Sequence, residues 1–210
     1  MKLAEHYDLI VIGSGPGGAS LAQSLAPTGK RILMIERGDY LPREEANWSS
    51  EVVFVKRRYQ VNETWTNIDG KPFSPQLHYC VGGNSKVYGA ALLRLRERDF
   101  EEVIHAGGVS PAWPLRYTDF EPYYDAAEAL FHVHGQRGED PLEPPSTVPY
   151  PYPAIKHEAR VAAFCDKLTG IGLTPFHLPL GICSTRKKMA LQHPPAPVSG
   201  VPSSTGFPAC

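Results

Sequence analysis

The residues of this chain best suited to chemistry are glycines near its start, spaced to hold a phosphate. Gly13, Gly15 and Gly18 fit the pattern G-x-G-x-x-G and follow the apolar run 7–12. The first glycine permits a tight turn, the second lets the backbone approach a pyrophosphate, and the third lets a helix pack close to the sheet. Free N–H groups at the start of that helix attract negative charge. The pattern predicts a dinucleotide-binding loop, formed by Gly13, Ser14, Gly15, Pro16, Gly17 and Gly18.

Two strands and a helix must position this loop. The apolar run 7–12 predicts a buried strand, residues 19–26 a helix that stops near Gly29, and residues 31–35 a second, parallel strand reached by a right-handed crossover. Glu36 ends that strand, where its carboxylate can accept hydrogen bonds from ribose hydroxyls and disfavours a 2′-phosphate. Arg37 beside it weakens this argument, and both Glu36 and Arg37 are predicted to be cofactor-binding residues. The glycine motif alone does not separate FAD from NAD, and its alternative is a flexible loop between two core strands.

Composition excludes several classes of function. The net charge of −1 over 210 residues gives no electrostatic case for binding nucleic acid or an anionic membrane. The first six residues carry no apolar signal core, and no run of 18 apolar residues occurs, so neither a signal peptide nor a membrane helix is expected. The four cysteines form no C-x-x-C pair, so we expect free thiols in a reducing compartment, the cytoplasm.

Later elements are predicted from periodicity and caps. The helix over residues 118–132 is the clearest of them: Thr118 and Glu121 form a capping box, and Gly135 suits its stop. We expect its apolar and aromatic stripe to pack in the core. The stripe comprises Tyr123, Ala127, Leu130 and Phe131. The other predicted elements are a short helix within residues 46–59, strands at 77–81 and 173–180, and a helix over 157–169.

A second glycine-rich segment lies within residues 79–100, which read YCVGGNSKVYGAALLRLRERDF. Together with the first loop, it resembles the FAD-dependent oxidoreductases of the glucose-methanol-choline (GMC) family. Its Lys86–Gly89 stretch is most similar to bacterial choline-dehydrogenase-like flavoproteins. The resemblance covers about residues 5–180, and the second motif is considerably more specific than the first.

The resemblance implies an α/β fold: an incomplete Rossmann-like FAD-binding domain with a mostly parallel sheet. It implies that FAD accepts hydride from a CH–OH donor, an alcohol or a sugar. The flavin would approach the second segment, through Gly82, Gly83, Asn84, Ser85 and Gly89. Tyr88 stands where common members have an asparagine, so the role of that asparagine is not transferred.

The histidines offer no catalytic or metal site. In the GMC family a histidine near the C-terminus takes the hydroxyl proton, and none of the eight histidines here matches that motif. We therefore expect no catalytic residue in this chain, and whether the chain is itself an enzyme is left open. His78 precedes the second segment, where some relatives attach FAD covalently, but we expect a packed or surface side chain. His132 and His134 alternate like a metal pair, yet lack a carboxylate partner.

The expected organisation is a partial FAD-binding domain over residues 1–182 and an irregular or disordered tail over 183–210. The tail is rich in Pro, Ser and Gly, with little apolar surface to bury, and fits a truncated or frame-shifted product. A partial fold would expose a sheet edge, so a complementing chain is considered as a partner. The alternatives left open are a non-catalytic remnant and an interaction module that binds FAD or NAD(P).

Overall fold

The computed structural model describes residues 6–182, which divide into two compact units between Gly89 and Ala90. The predicted irregular tail, residues 183–210, lies outside the described residues, as do Cys183 and Cys210. The boundary after residue 182 therefore stays a prediction.

The first unit begins with the expected strand, helix and strand. Strand β1 (Leu9–Ile12) leads into helix α1 (Pro16–Leu25), and strand β2 (Ile32–Ile35) pairs with β1 in parallel over all four residues of each. The helix starts three residues earlier than predicted because proline suits the first helical position. A single 3-10 turn follows, and Gly29 ends it at φ +72° in the left-handed region. The α/β, Rossmann-like fold class is confirmed.

The rest of the first unit is less regular than expected. The predicted helix within residues 46–59 is divided into a 3-10 helix (Glu45–Trp48) and a π-helix (Glu51–Val55). A short antiparallel hairpin follows, formed by β3 (Trp65–Thr66) and β4 (Pro72–Phe73).

The strand predicted over residues 77–81 is wrong. Of that stretch only Cys80 pairs, in a single parallel bridge with Asp39. The chain then turns at once, because Gly82 and Gly83 both adopt positive φ and open a 3-10 helix, Gly83–Val87.

Over its described residues, 90–182, the second unit contains two small sheets, two α-helices and a 3-10 helix, Glu97–Phe100. Strands β5 (Val103–His105) and β6 (Gly108–Ser110) form an antiparallel hairpin. Helix α2 (Tyr117–Leu130) runs into β7 (Val133–Gly135), the central strand of the second sheet. Strand β7 pairs in parallel with β8 (Tyr152–Pro153) and antiparallel with β9 (Leu180–Gly181). Helix α3 (Ala159–Gly170) lies between β8 and β9 in the sequence.

Helix α2 is capped differently from the prediction. The Asp119 carboxylate accepts the Arg116 N–H at 2.8 Å, which places the cap one turn before Asp119. The predicted Thr118–Glu121 box is therefore wrong, and Glu121 instead accepts the N–H of Thr147 at 3.3 Å. Asp119 is the acid in the first turn, three residues after the N-cap Arg116, whereas Glu121 lies in the second turn, too far along the helix to cap its start.

The buried face of α2 also differs from the predicted stripe. Tyr123 is 73% exposed, whereas Tyr117 is fully buried and packs edge-on against Phe100. Phe120 and Trp113 complete this aromatic cluster around Phe100. The predicted core position of Tyr123 is therefore wrong, because the helix buries the face centred on Tyr117.

Three smaller expectations in the second unit need correction. Gly135 does not stop a helix but lies buried in β7, where a Cβ would come within 2.6 Å of the Tyr150 ring. The strand predicted over residues 173–180 shortens to β9. Helix α3 begins at Ala159 as a near match to the prediction, but Phe164 on its apolar face is 60% exposed.

Among residues 6–182, no helix is both long and apolar enough to cross a membrane.

Candidate functional site

The first glycine loop has the geometry of a phosphate-binding turn. Gly13 leaves β1 at φ +94°, and Gly15 is the N-cap of α1 in an extended conformation. A Cβ at Gly13, Gly15 or Gly17 would meet no atom within 4 Å, so the space over the helix start is open. A Cβ on Gly18 would instead lie 2.1 Å from the carbonyl oxygen of Gly13. The third glycine thus permits close packing, and the first two leave room for a ligand.

Glu36 is held directly beneath this loop. Its Oε2 accepts the N–H of Ser14 at 2.9 Å and the hydroxyl of Ser14 at 2.6 Å. Its Oε1 accepts the N–H groups of Arg37, at 2.7 Å, and Gly38, at 3.2 Å. These hydrogen bonds, led by those from Ser14, lower the pKa of Glu36 to about 2. The carboxylate is ionised at neutral pH, and this chain itself supplies four donors to it.

Ser14 also connects the first loop with the second glycine segment. Its side chain is buried, at 7% exposure, and its Oγ accepts the N–H of Gly82 at 2.9 Å. The two segments are 68 residues apart in sequence and belong to the same unit. The structure thus brings the two predicted motifs together through a residue whose role the motif leaves unspecified.

The second segment is a tight turn whose polar side chains bond within it and to the residue His78 before it. Ser85 donates its hydroxyl to the carbonyl oxygen of Gly82 at 2.6 Å. The Oδ1 atom of Asn84 accepts the N–H of His78 at 3.0 Å and lies 3.0 Å from His78 Nδ1. Asn84 and Ser85 therefore build the turn, and Gly89 is open, since a Cβ there would meet no atom within 4 Å.

Gly38 contributes to the contact between the end of β2 and the second segment, and sequence reasoning missed it. A Cβ at Gly38 would lie 1.9 Å from the carbonyl oxygen of Tyr79, so only glycine lets the two backbones approach. The approach continues as the N–H of Val81 donates to the Asp39 carbonyl at 3.1 Å. The sequence signal that could have predicted this approach is a glycine two residues after Glu36, in the turn that follows β2.

Arg37 points its charge away from Glu36. Its guanidinium donates to Glu63 Oε1 at 2.6 Å and lies 3.9 Å from the centre of the Tyr79 ring. Tyr79 donates its hydroxyl to the other oxygen of Glu63. The arginine that weakened the case against a 2′-phosphate is thus already paired with a carboxylate.

A cleft of about 280 Å³ opens beside the second segment. Four of its ten lining residues are aromatic and one is a lysine, and residues 86–88 of the segment are among them. Trp48, which is 88% exposed, also lines the cleft. The residues that define it include Leu41, Trp48, Phe54, Tyr59, Lys86 and Tyr88.

The histidine pair of the second unit is engaged in stacking. The rings of His132 and His134 both stack on Tyr152, at centroid distances of 5.4 and 5.0 Å, and His134 Nδ1 lies 2.9 Å from the Pro153 carbonyl oxygen. In the part of the chain that the structure describes, no group of three His, Cys, Asp or Glu side chains is arranged to hold a metal ion.

The second unit is organised around a buried arginine. Arg94 donates to both oxygens of Glu128 at 2.7 Å and to Asp125 at 2.6 Å. Arg137 adds a second guanidinium on Glu128 and also donates to Glu143 at 2.7 Å. This network is internal to the unit, and sequence reasoning did not foresee it, because its partners are 34 residues apart.

Comparisons with known proteins agree with this geometry. Residues 11–43 match the NAD(P)-binding Rossmann-like domain family. The chain is 31% identical to paromamine 6′-oxidase from Streptomyces fradiae over 84% of its own length and 31% of that protein. It is 29% identical to 2-methyl-1,2-propanediol dehydrogenase from Mycolicibacterium austroafricanum, over 80% of this chain and 32% of the relative. These relatives are GMC oxidoreductases.

The chain is therefore similar to GMC oxidoreductases. It spans about a third of the length of the curated relatives it matches. Pyridoxine 4-oxidase from Mesorbium loti shares its fold, with a TM-score of 0.54 at 17% identity, over 85% of this chain and 37% of that structure. The GMC resemblance inferred from the two glycine segments is confirmed.

Proposed function

We propose that this chain is the FAD-binding portion of a GMC oxidoreductase that oxidises a CH–OH donor, an alcohol or a sugar. The observation that carries the proposal is the junction of the two glycine segments, made by Ser14 between Glu36 and Gly82. A dinucleotide with a flat ring system needs both a phosphate loop and a second close backbone approach. The junction brings both into one unit.

The residues present fit FAD. The open space at Gly13, Gly15 and Gly17 leaves room for the pyrophosphate against the start of α1, whose first N–H groups have no partner within the helix. Glu36 would face the adenosine ribose, sharing its oxygens with Ser14. The flavin would approach the segment Gly82–Gly89. When bound, FAD supplies the hydride acceptor, and the chain supplies binding and orientation.

The aromatic cleft adds support for a planar ligand. Aromatic side chains favour offset or edge contacts with flat rings, and Lys86, another lining residue, carries a positive charge. The cleft adjoins residues 86–88, the end of the second segment, so a ring system held by that segment would extend toward it.

The relatives support the substrate class. One of them is named an oxidase of paromamine and the other a dehydrogenase of a diol. Which alcohol or sugar is oxidised, which electron acceptor is used and whether a second chain completes the fold are questions about the whole protein, of which this chain is the proposed FAD-binding portion. The proposed location is the cytoplasm, which agrees with the unpaired thiols of Cys80 and Cys165 within the described residues.

The second candidate is a module that binds NAD(P) without a flavin, which the description of the matched domain family favours. Titration calorimetry of the purified chain with FAD, NADH and NADPH separates the two, together with the flavin absorbance of the protein as isolated. Tightest binding of FAD supports the proposal, and tightest binding of a nicotinamide dinucleotide supports the second candidate.

A substitution pair tests where the ligand binds. Gly15→Leu fills the space over the loop and should reduce FAD affinity by more than about 100-fold, since the backbone can no longer approach the pyrophosphate. Gly170→Leu is the matched control, because a Cβ at Gly170 also meets no atom within 4 Å but lies in the other unit. Equal losses from both variants would contradict the assigned site.

A further inference from the structure

Ser14 occupies a position that the glycine motif leaves open to any residue, yet it makes three hydrogen bonds. Its N–H and its hydroxyl both donate to Glu36 Oε2, and its Oγ accepts the N–H of Gly82. The hydroxyl is thus used once as donor and once as acceptor, and the side chain is buried.

We infer that Ser14 is a positioning residue that couples the two segments of the proposed dinucleotide site. It holds the turn Gly82–Val87 against the loop Gly13–Gly18, so that a ligand ordering one segment also stabilises the other. This inference rests on the proposed function for the ligand, but the coupling itself is a property of the unliganded chain.

Both polar groups of Gly82 are held, and each by a serine. Ser14 receives its N–H, and Ser85 donates to its carbonyl oxygen at 2.6 Å. Gly82 is at φ +92°, a conformation that side chains rarely adopt, so these two bonds define how the turn begins. Only the bond to Ser14 reaches the other segment.

Glu36 strengthens this link without touching Gly82. A hydroxyl that donates to an ionised carboxylate becomes a better acceptor, because hydrogen bonds in a chain polarise one another. The chain of bonds runs from Gly82 N–H through Ser14 Oγ to Glu36 Oε2, so the charge on Glu36 should be felt at the Gly82 amide. A hydroxyl that merely filled space would not transmit this charge.

Hydrogen exchange of the Gly82 amide, followed by NMR on the full 210-residue chain, tests the coupling. In the protein without ligand, Ser14→Ala should speed exchange of Gly82 by about tenfold, the effect of one lost hydrogen bond. Thr28→Ala is the matched control. It also removes a hydroxyl from the first unit, but this hydroxyl is exposed and donates to the Leu25 carbonyl oxygen, away from both glycine segments. Ser14→Thr keeps the hydroxyl and should restore most of the protection.

A second variant distinguishes coupling from simple packing. Glu36→Gln keeps the side-chain shape and removes its charge, and it should speed exchange at Gly82 by about threefold although it makes no contact there. This variant also carries the test if Ser14→Ala fails to fold. Unchanged exchange at Gly82 in both Ser14→Ala and Glu36→Gln would overturn the inference.

Adding FAD tests the consequence for ligand binding. In the natural sequence, FAD should slow exchange in both segments, and in Ser14→Ala it should slow exchange in residues 13–18 alone. If FAD slows both segments equally in Ser14→Ala, the coupling is refuted. If FAD slows neither segment in the natural sequence, the proposed function fails, and the exchange rates without ligand still decide the role of Ser14.

Discussion

Glu36 accepts both the amide and the hydroxyl of Ser14 on one carboxylate oxygen, at 2.9 and 2.6 Å. Strand β2, which ends at Ile35 just before Glu36, and the loop that begins at Gly13 are thereby joined by a side chain as well as by the backbone bond from Gly13 N–H to the Ile35 carbonyl. These hydrogen bonds are strongest when the carboxylate is ionised, because protonation weakens its oxygens as acceptors. The stability of the first unit should therefore depend on the charge of Glu36.

The first prediction follows from the pKa of Glu36. Its value in the folded chain is about 2, below its ordinary 4.5, so its stabilising contribution is fully present above pH 4.5 and is lost as the pH falls toward 2. Thermal melts of the natural sequence and of Glu36→Gln between pH 2 and 7 measure this. The difference in Tm should be largest above pH 4.5 and should shrink below it, whereas a constant difference would contradict the assignment.

The second prediction concerns the buried arginine of the other unit. Burial opposes the charge of Arg94, but the hydrogen bonds that it donates to Glu128, Asp125 and Tyr117 raise its pKa. Glu128→Gln leaves the buried Arg94 and the partly buried Arg137 with a weaker partner and should lower the free energy of unfolding by about 3 kcal/mol. Chemical denaturation measures this loss.

Glu51→Gln serves as the control for that measurement. Its ion pair with Lys56 is exposed, with both side chains more than 60% accessible, and should contribute less than about 1 kcal/mol. Similar losses from Glu51→Gln and Glu128→Gln would show that the buried network does not stabilise the unit.

The third prediction tests the close approach at Gly38. Gly38→Ala would place a Cβ 1.9 Å from a backbone oxygen of Tyr79, and neither backbone can move away without breaking the Asp39–Cys80 bridge. We expect a loss of about 1–3 kcal/mol of stability. Gly17→Ala is the control, since its Cβ would meet open space, and a Gly38→Ala melt as high as that of Gly17→Ala would contradict this account.

Local rules explain which parts of the fold were predictable. Strand β1, helix α1 and strand β2 follow from apolar runs, a proline at the helix start and a glycine at its end, and each of these signals acts within a few residues. The family resemblance was equally accessible, because both glycine segments have characteristic letters and spacing.

The remaining features depend on contacts that no local pattern specifies. Arg94 meets Glu128 across 34 residues, and Ser14 meets Gly82 across 68, so neither pairing can be derived from spacing. Tyr123 was expected in the core because its spacing matched the helix period. The buried face was instead set by the aromatic cluster around Phe100, which only the folded second unit assembles.

The last prediction uses the two described thiols as reporters. Burial raises the pKa of the Cys80 thiol, which is 2% exposed and points its sulfur at the Gly83 carbonyl oxygen. Cys165, in helix α3 of the other unit, is partly exposed. Because the thiolate is the reacting form, iodoacetamide should modify Cys80 at least about tenfold more slowly than Cys165 in the native chain, as measured by peptide mass spectrometry.

FAD should slow the modification of Cys80 further, since it would stabilise the turn that covers this sulfur, and should leave the modification rate of Cys165 unchanged. Equal rates at the two thiols would place Cys80 in a solvent-accessible turn, and protection of both by FAD would point to global stabilisation instead of binding at the second glycine segment.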